Sequence, residues 1–124
     1  MREFTKALDS FDKALGIESN YAHALYNKAN CLRSLKRLDE AILWYEKALK
    51  IVPTYTKAFN NKGLGLKDLN KFNEALDCFN KAIEIEPNYV IAIHNKAFCL
   101  KYLNTSNEAN LLINKVNEII CQNK

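Results

Sequence analysis

The chain has 124 residues, which is enough for one domain with a hydrophobic core. Its net charge of +4 is weaker than the dense basic patch typical of nucleic-acid-binding proteins. No purely apolar run is longer than that of YVIAI at residues 89–93, which is too short to cross a membrane. The N-terminal MREFTKALDS has no apolar signal-peptide core, so we expect a cytoplasmic protein.

The elements predicted along the chain are all helices, because glycine and proline are scarce and apolar residues recur at intervals of three and four. Turn signals separate the helices. Pro53 and Pro87 each follow an apolar run, and Asn20, Thr54 and Asn88, at equivalent places, are expected to cap the next helix. The loops are short, so neighbouring helices should pack antiparallel. Seven helices are predicted, over residues 3–16, 22–35, 38–50, 56–69, 72–84, 90–103 and 106–120.

The chain repeats itself every 34 residues. YNKANCL begins at residue 26, NNKGLGL at residue 60 and HNKAFCL at residue 94. A second segment recurs four times with the same period: FTKALDSFDKAL (4–15), LDEAILWYEKAL (38–49), FNEALDCFNKAI (72–83) and SNEANLLINKVN (106–117). This agreement in register predicts a stack of helix pairs.

The repeating unit resembles the tetratricopeptide repeat, in which small residues let paired helices approach closely. The small residues here are Ala29, Gly63 and Ala97, then Ala41, Ala75 and Ala109, then Ala48, Ala82 and Val116, with Pro53 and Pro87 near the ends of their repeats. The resemblance implies an all-α fold, a right-handed superhelix of antiparallel helix pairs (an α-solenoid). One continuous domain is expected, with a half-repeat in 1–21 followed by repeats 22–55, 56–89 and 90–124.

The two ends of the array depart from the pattern. Asn110 and Asn117 replace apolar residues of the earlier copies, which predicts a polar outer face where the array ends. The first helix carries Phe4, Leu8 and Phe11 but lacks a partner helix, so part of this face should be exposed. Either the chain is an excised part of a longer protein, or this face pairs with a second copy or another protein.

A helical wheel at 100° per residue places Leu25, Ala29 and Leu32 toward the core. The opposite face of each first helix is expected to line a concave groove. The candidate peptide-binding residues on this face are Tyr26, Asn27, Asn30, Arg33, Lys57, Asn60, Asn61, Leu64, Lys67, His94, Asn95, Phe98, Lys101 and Tyr102.

Asparagine recurs at one position of the groove, in Asn27, Asn61 and Asn95. Because an amide both donates and accepts hydrogen bonds, such a row could satisfy the backbone of an extended peptide. Similar repeat proteins hold extended peptides along an "asparagine ladder", and the basic residues of this groove would favour an acidic segment. The carboxylate clamp with which co-chaperones of this kind bind peptides is matched only at Asn30 and Asn61, so peptide binding through such a clamp is disfavoured. The simpler alternative is that these asparagines are solvated helix positions without a binding role, which were copied when the repeat was duplicated.

The predicted function is therefore a protein–protein interaction scaffold. Two alternatives remain open: an architectural module that self-associates through its N-terminal helix, and an RNA-binding repeat that stacks bases on Tyr26, Phe98 and Tyr102. No nucleophile with a matched base is recognisable, no cysteines form a CxxC pair, and His23 and His94 lie two repeats apart. We therefore expect no enzymatic activity, metal or cofactor.

Overall fold

The computed structural model describes residues 21–103 and 106–122, without the side chains of residues 106 and 107. Every predicted helix from residue 22 onward is confirmed, with the same first residue and a last residue that differs by at most two. The helix predicted over 3–16, with Phe4, Leu8 and Phe11, lies outside the described residues. The six described helices are α1 (Ala22–Ser34), α2 (Leu38–Ile51), α3 (Thr56–Asp68), α4 (Phe72–Ile85), α5 (Val90–Tyr102) and α6 (Ser106–Gln122).

The helices pack as consecutive antiparallel pairs, α1 with α2, α3 with α4 and α5 with α6. The second helix of each pair also packs on the first helix of the next pair. The first helices α1, α3 and α5 contact one another in sequence, whereas α2, α4 and α6 make no such contacts within the described part of the chain. Because the first helices lie closer together, the solenoid curves around them and their outer faces form its concave side.

The core lies where the two helices of a pair cross. The predicted small residues are buried at these crossings, among them Ala29, Ala41 and Ala75. Large rings fill the remaining space, and Tyr45 of α2 and Phe79 of α4 are fully buried at equivalent positions of successive repeats. The predicted core face is confirmed, since small residues on one helix admit a ring from its partner.

The turns between repeats contain the two prolines. The backbone N–H of Tyr55 bonds to the carbonyl of Val52 at 3.1 Å, which closes a turn with Pro53 at its second position. The predicted caps Thr54 and Asn88 are wrong by one residue, because the residues before the helices are Tyr55 and Tyr89. The third predicted cap, Asn20, lies outside the described residues. These tyrosines make no side-chain capping bond. Tyr55 instead packs its ring into the core of the first repeat, so packing is favoured over capping at this position.

The turns within the first two repeats use residues with left-handed backbone. Lys36 has φ of 63° and Asn70 has φ of 61°. In the first repeat, the N–H of Arg37 bonds to the carbonyl of Leu32 at 2.9 Å, the pattern of a Schellman motif. These tight turns fix the ends of α1 and α3, which carry the residues of the groove.

Gly63 and Gly65, both inside α3, should respond oppositely to replacement by alanine. A Cβ atom at Gly63 would lie 2.5 Å from Cε1 of the buried Phe79 ring, whereas one at Gly65 would lie at an ordinary 3.5 Å from Cγ1 of Ile42. Alanine favours a helix over glycine by about 1 kcal/mol, and overpacking costs about 1–3 kcal/mol. Urea unfolding should therefore show Gly65→Ala to be more stable than the parent and Gly63→Ala to be less stable. Equal shifts would contradict the close approach of α3 and α4.

Candidate functional site: the concave groove

The structure places the predicted groove residues on the concave face of α1, α3 and α5, with unequal exposure. Asn60 is the exception, because it is only 3% exposed and cannot be reached directly from the groove. The exposed residues are Lys57, His94, Phe98, Lys101 and Tyr102, and the half-buried ones are Tyr26, Asn27, Asn30, Arg33, Asn61, Leu64, Lys67 and Asn95.

Asn61 connects the first two repeats. Its side-chain amide donates to the hydroxyl of Tyr26 at 2.8 Å and to Oδ1 of Asn30 at 3.0 Å. Both N–H groups of this amide are therefore used within the chain. The side chain joins α3 to α1, so Asn61 stabilises the stacking of the first two repeats.

Asn60 extends this connection to the third repeat. It donates to Oδ1 of Asn61 at 3.2 Å and accepts from the amide of Asn95 at 3.1 Å. The three asparagines link α3 to α5, and through Asn61 they link both to α1. The predicted row of amides is therefore partly an inter-repeat hydrogen-bond network.

The network ends at a buried tyrosine that the sequence interpretation did not include. The hydroxyl of Tyr45 donates to Oδ1 of Asn30, and Nε of Arg33 donates to the Tyr45 hydroxyl at 3.3 Å. Tyr45 lies in a column shared with Phe79 and Ile113, and it alone of these three carries a polar group. Because a buried tyrosine hydroxyl needs a partner, this difference was the signal for a polar network beneath the groove.

Asn27 is outside this network. Its amide nitrogen lies 3.0 Å from Nε2 of His23, one helical turn earlier, and Nδ1 of His23 lies 3.4 Å from the Tyr55 hydroxyl. The carbonyl oxygens of Asn27 and Asn95 accept no hydrogen bond from the described residues. These two amides retain hydrogen-bonding capacity toward the groove.

The aromatic–lysine corner, formed by Lys67, Phe72, Phe98, Lys101 and Tyr102, lies where α3 and α5 end. The ring of Tyr102 stacks on Phe72 at 4.7 Å between centroids and lies 4.8 Å from Phe98. The ammonium of Lys67 lies 4.7 Å from the centroid of Phe98, and Lys101 is exposed beside Tyr102. Phe98 and Tyr102 are 40% and 61% exposed. The corner therefore offers apolar area and positive charge together.

The inter-repeat cavity, an open surface pocket of about 510 Å³, lies beside the N-terminal ends of α1 and α3. The rings of Tyr26 and Tyr55 form part of its wall, with centroids 4.9 Å apart. The residues that line it are Ala22, His23, Tyr26, Val52, Thr54, Tyr55, Thr56, Lys57 and Glu86. Sequence reasoning did not find this cavity, because residues from the turns complete it.

Alkaline pH should destabilise the chain partly through Tyr45. Burial raises the pKa of this phenol from 10.0 to about 12, although the hydrogen bond from Arg33 opposes the shift. When folding raises the pKa of a phenol, its contribution to stability is complete at pH values below the pKa of the unfolded state. The contribution is lost as the pH rises through the pKa of the folded state. Between pH 10 and pH 12 the free energy of unfolding should fall more steeply with pH in the parent than in Tyr45→Phe. The two slopes should differ by up to about 1.4 kcal/mol per pH unit. Urea titrations at several pH values would measure both slopes, and equal slopes would contradict the burial of this hydroxyl.

The repeat is identified by comparison of the sequence with known families. A family model described as the tetratricopeptide repeat matches residues 22–55 and 56–89, more than half of the chain. The chain belongs to the tetratricopeptide repeat family. The predicted family is thereby confirmed, and this fold supports a role as a protein–protein interaction scaffold. Proteins built from such repeats are generally non-enzymatic scaffolds.

Solved structures share the fold at low sequence identity. A crystal structure of MamA superposes with a TM-score of 0.93 at 19% identity, over 97% of this chain and 70% of the other. MamA 41-end from Desulfovibrio magneticus RS-1 gives a TM-score of 0.89 at 21% identity, over 97% of this chain and 68% of the other. At such identities the likeness shows the fold alone. No curated protein sequence matches the chain.

Other chemistries find no support in residues 21–103 and 106–122. None of their helices is both long and apolar enough to span a membrane. They contain no group of three or more histidine, cysteine or acidic residues placed to hold a metal ion. Burial raises the pKa of the Cys78 thiol to about 11 and also raises the pKa values of Cys31 and Cys99. These three thiols are buried and are therefore poor nucleophiles near neutral pH.

Proposed function

We propose that this chain is a scaffold that binds an extended segment of a partner protein in the concave groove of α1, α3 and α5. The observation that carries the proposal is the aromatic–lysine corner, where Phe98 and Tyr102 stay exposed on the groove face. Exposed aromatic residues are typical of the energetically dominant part of protein interfaces, and basic residues beside them attract an acidic partner. A partner segment would cover these rings and bring acidic residues to Lys67 and Lys101.

The asparagines support the proposal unequally. Asn27 and Asn95 have unused acceptors and are proposed to bond to the backbone of the segment. Asn61 donates both of its N–H groups inside the chain, and Asn60 is buried, so these two are proposed to hold the groove in shape. Replacing Asn27, Asn61 and Asn95 together would therefore change stability and binding at once. Variants of the exposed rings give a cleaner test.

The test begins with selection of binding peptides from a random display library against the purified chain. The dissociation constant of a selected peptide is then measured by fluorescence anisotropy. The double variant Phe98→Ala and Tyr102→Ala should weaken binding at least about tenfold, because covering the parts of the two rings that are still exposed contributes roughly 1.5–3 kcal/mol in total. Circular dichroism should show an unchanged helix content, since both rings are already exposed.

A matched control variant comes from the second helices. Leu43 of α2 and Leu111 of α6 are 56% and 69% exposed but lie on helices away from the groove. Leu43→Ala with Leu111→Ala should bind the peptide as the parent does. Equal loss in both double variants, or no loss in either, would contradict a groove site. Displacement of the peptide by single-stranded RNA would favour the nucleic-acid alternative instead.

A further inference from the structure

We infer that the inter-repeat cavity holds one large apolar side chain of the partner segment, while acidic residues of the same segment lie on the aromatic–lysine corner. This inference rests on the proposed function and specifies its ligand. The segment would cross the groove diagonally, from the N-terminal ends of α1 and α3 to the C-terminal ends of α3 and α5. Such a crossing fixes both the chemistry of the segment and the spacing of its two contact points.

The cavity is suited to an apolar side chain. Its volume of about 510 Å³ falls within the range of about 300–1,000 Å³ that is usual for ligand sites. Val52 and the rings of Tyr26 and Tyr55 supply apolar wall. The cavity also lies on the groove face, because Tyr26 and Lys57 belong to the concave side of α1 and α3. A side chain that enters from the groove would replace water against these rings.

Charge determines which end of the segment lies at which site. The ionised residues at the cavity are Lys57 and Glu86, whose charges cancel, so the cavity does not select a charged side chain. At the corner, Lys67, Lys101 and Lys71 outnumber Asp68, the acidic residue near the end of α3. Acidic residues are therefore attracted to the corner, whereas the cavity exerts no net attraction on them.

The positions of the two sites set the spacing. Lys57 and Lys67 mark the two ends along α3, ten residues and therefore about 15 Å apart at about 1.5 Å per residue. The cavity lies between α1 and α3, and the corner lies between α3 and α5. The segment must therefore also cross from one helix to the next, a sideways distance of about 8–10 Å between packed helices. The diagonal is about 18 Å, which an extended chain covers in about five or six residues at about 3.3 Å each.

The experiment uses a series of fluorescein-labelled peptides and the full chain. Each peptide carries one tryptophan and a pair of glutamates, joined by a Gly-Ser spacer that separates them by about two, about five or about ten residues. The series is made in both chain directions and includes peptides without the tryptophan or without the glutamates. Anisotropy titrations give the affinities. We expect the separation of about five residues to bind at least about tenfold more tightly than the shortest spacer or either single-anchor peptide.

Two variants of the chain assign the contacts. Thr54→Trp, at an exposed turn position that lines the cavity, fills the space and should weaken the best peptide about tenfold. Lys67→Glu with Lys101→Glu should weaken it about tenfold and remove most of its salt dependence. Lys50→Glu, an exposed lysine on α2, is the matched charge control and should have little effect. Thermal unfolding followed by circular dichroism confirms that each variant is folded.

Three results would overturn the inference: affinity independent of spacer length, unchanged binding by Thr54→Trp, or equal losses in the lysine double variant and Lys50→Glu. Failure of the whole series to bind would also overturn it. The proposed function is judged separately, because a peptide selected from the random library that depends on Phe98 and Tyr102 would still establish the groove. Loss of that dependence as well would remove both proposals.

Discussion

Replacement of Phe79 by alanine should lower the free energy of unfolding by about 3–5 kcal/mol, the largest effect expected for any single change discussed. The ring is fully buried between α3 and α4. It packs with Leu66 of α3 and Cys99 of α5, so its removal leaves a cavity at the junction of two repeats. Gly63 faces the ring so closely that no side chain is available to fill the space. Because a small domain is stable by only about 5–15 kcal/mol, this loss is a large part of the total.

Chemical unfolding followed by circular dichroism measures this loss. Phe98→Ala is the matched control, since it deletes the same ring from an exposed site in the groove. The control should lose much less, about 0.5–1.5 kcal/mol, because it removes only the contacts of this ring with Tyr102 and Lys67. A Phe79→Ala protein as stable as the control would show that α3 and α4 do not enclose this ring.

Replacement of Asn60 by alanine should cost about 1–3 kcal/mol, although the change removes only a polar side chain. Asn60 is buried, and it bonds to both Asn61 and Asn95. Its loss leaves an acceptor on Asn61 and a donor on Asn95 without these partners, and it removes the hydrogen-bonded link between α3 and α5. Since repeats of a solenoid stabilise each other through their interfaces, the third repeat should also unfold more independently of the second.

Urea unfolding of Asn60→Ala should therefore show a lower midpoint and a broader transition than the parent. Asn110→Ala is the control, because Asn110 is exposed on α6 and alanine is the better helix former there. The control should be as stable as the parent or slightly more stable. Equal behaviour of the two variants would contradict a structural role for the buried amide.

The sequence predicted the helices well because the repeat supplies several independent copies of the same evidence. Apolar spacing within one helix is ambiguous at its ends, but the 34-residue period places each turn at a corresponding position. The first residue of every described helix was predicted on this basis. Core residues such as Ala29 and Leu32 followed from the same pattern, because burial in a solenoid repeats with the unit.

The site was less predictable, because its properties depend on contacts between repeats. Asn27, Asn61 and Asn95 occupy equivalent positions of the repeat, yet their hydrogen-bond partners differ. The amide of Asn27 bonds to a histidine, that of Asn61 to Tyr26 and Asn30, and that of Asn95 to Asn60. Asn61 and Asn95 differ because the preceding repeat presents Tyr26 to one and Asn60 to the other, whereas Asn27 bonds within its own helix. The inter-repeat cavity also escaped prediction, since its lining comes from helix starts and turns that no single periodic pattern describes.

Site-specific photo-crosslinking tests whether the concave face binds an extended segment. A benzophenone amino acid replaces Phe98 in the groove or, in a second protein, Leu111 on α6, which is even more exposed. Each protein is irradiated with the peptide selected from the display library. We expect crosslinks from position 98, at one defined part of the peptide, and none above background from position 111. Equal crosslinking from both positions, or crosslinking from position 111 alone, would contradict it.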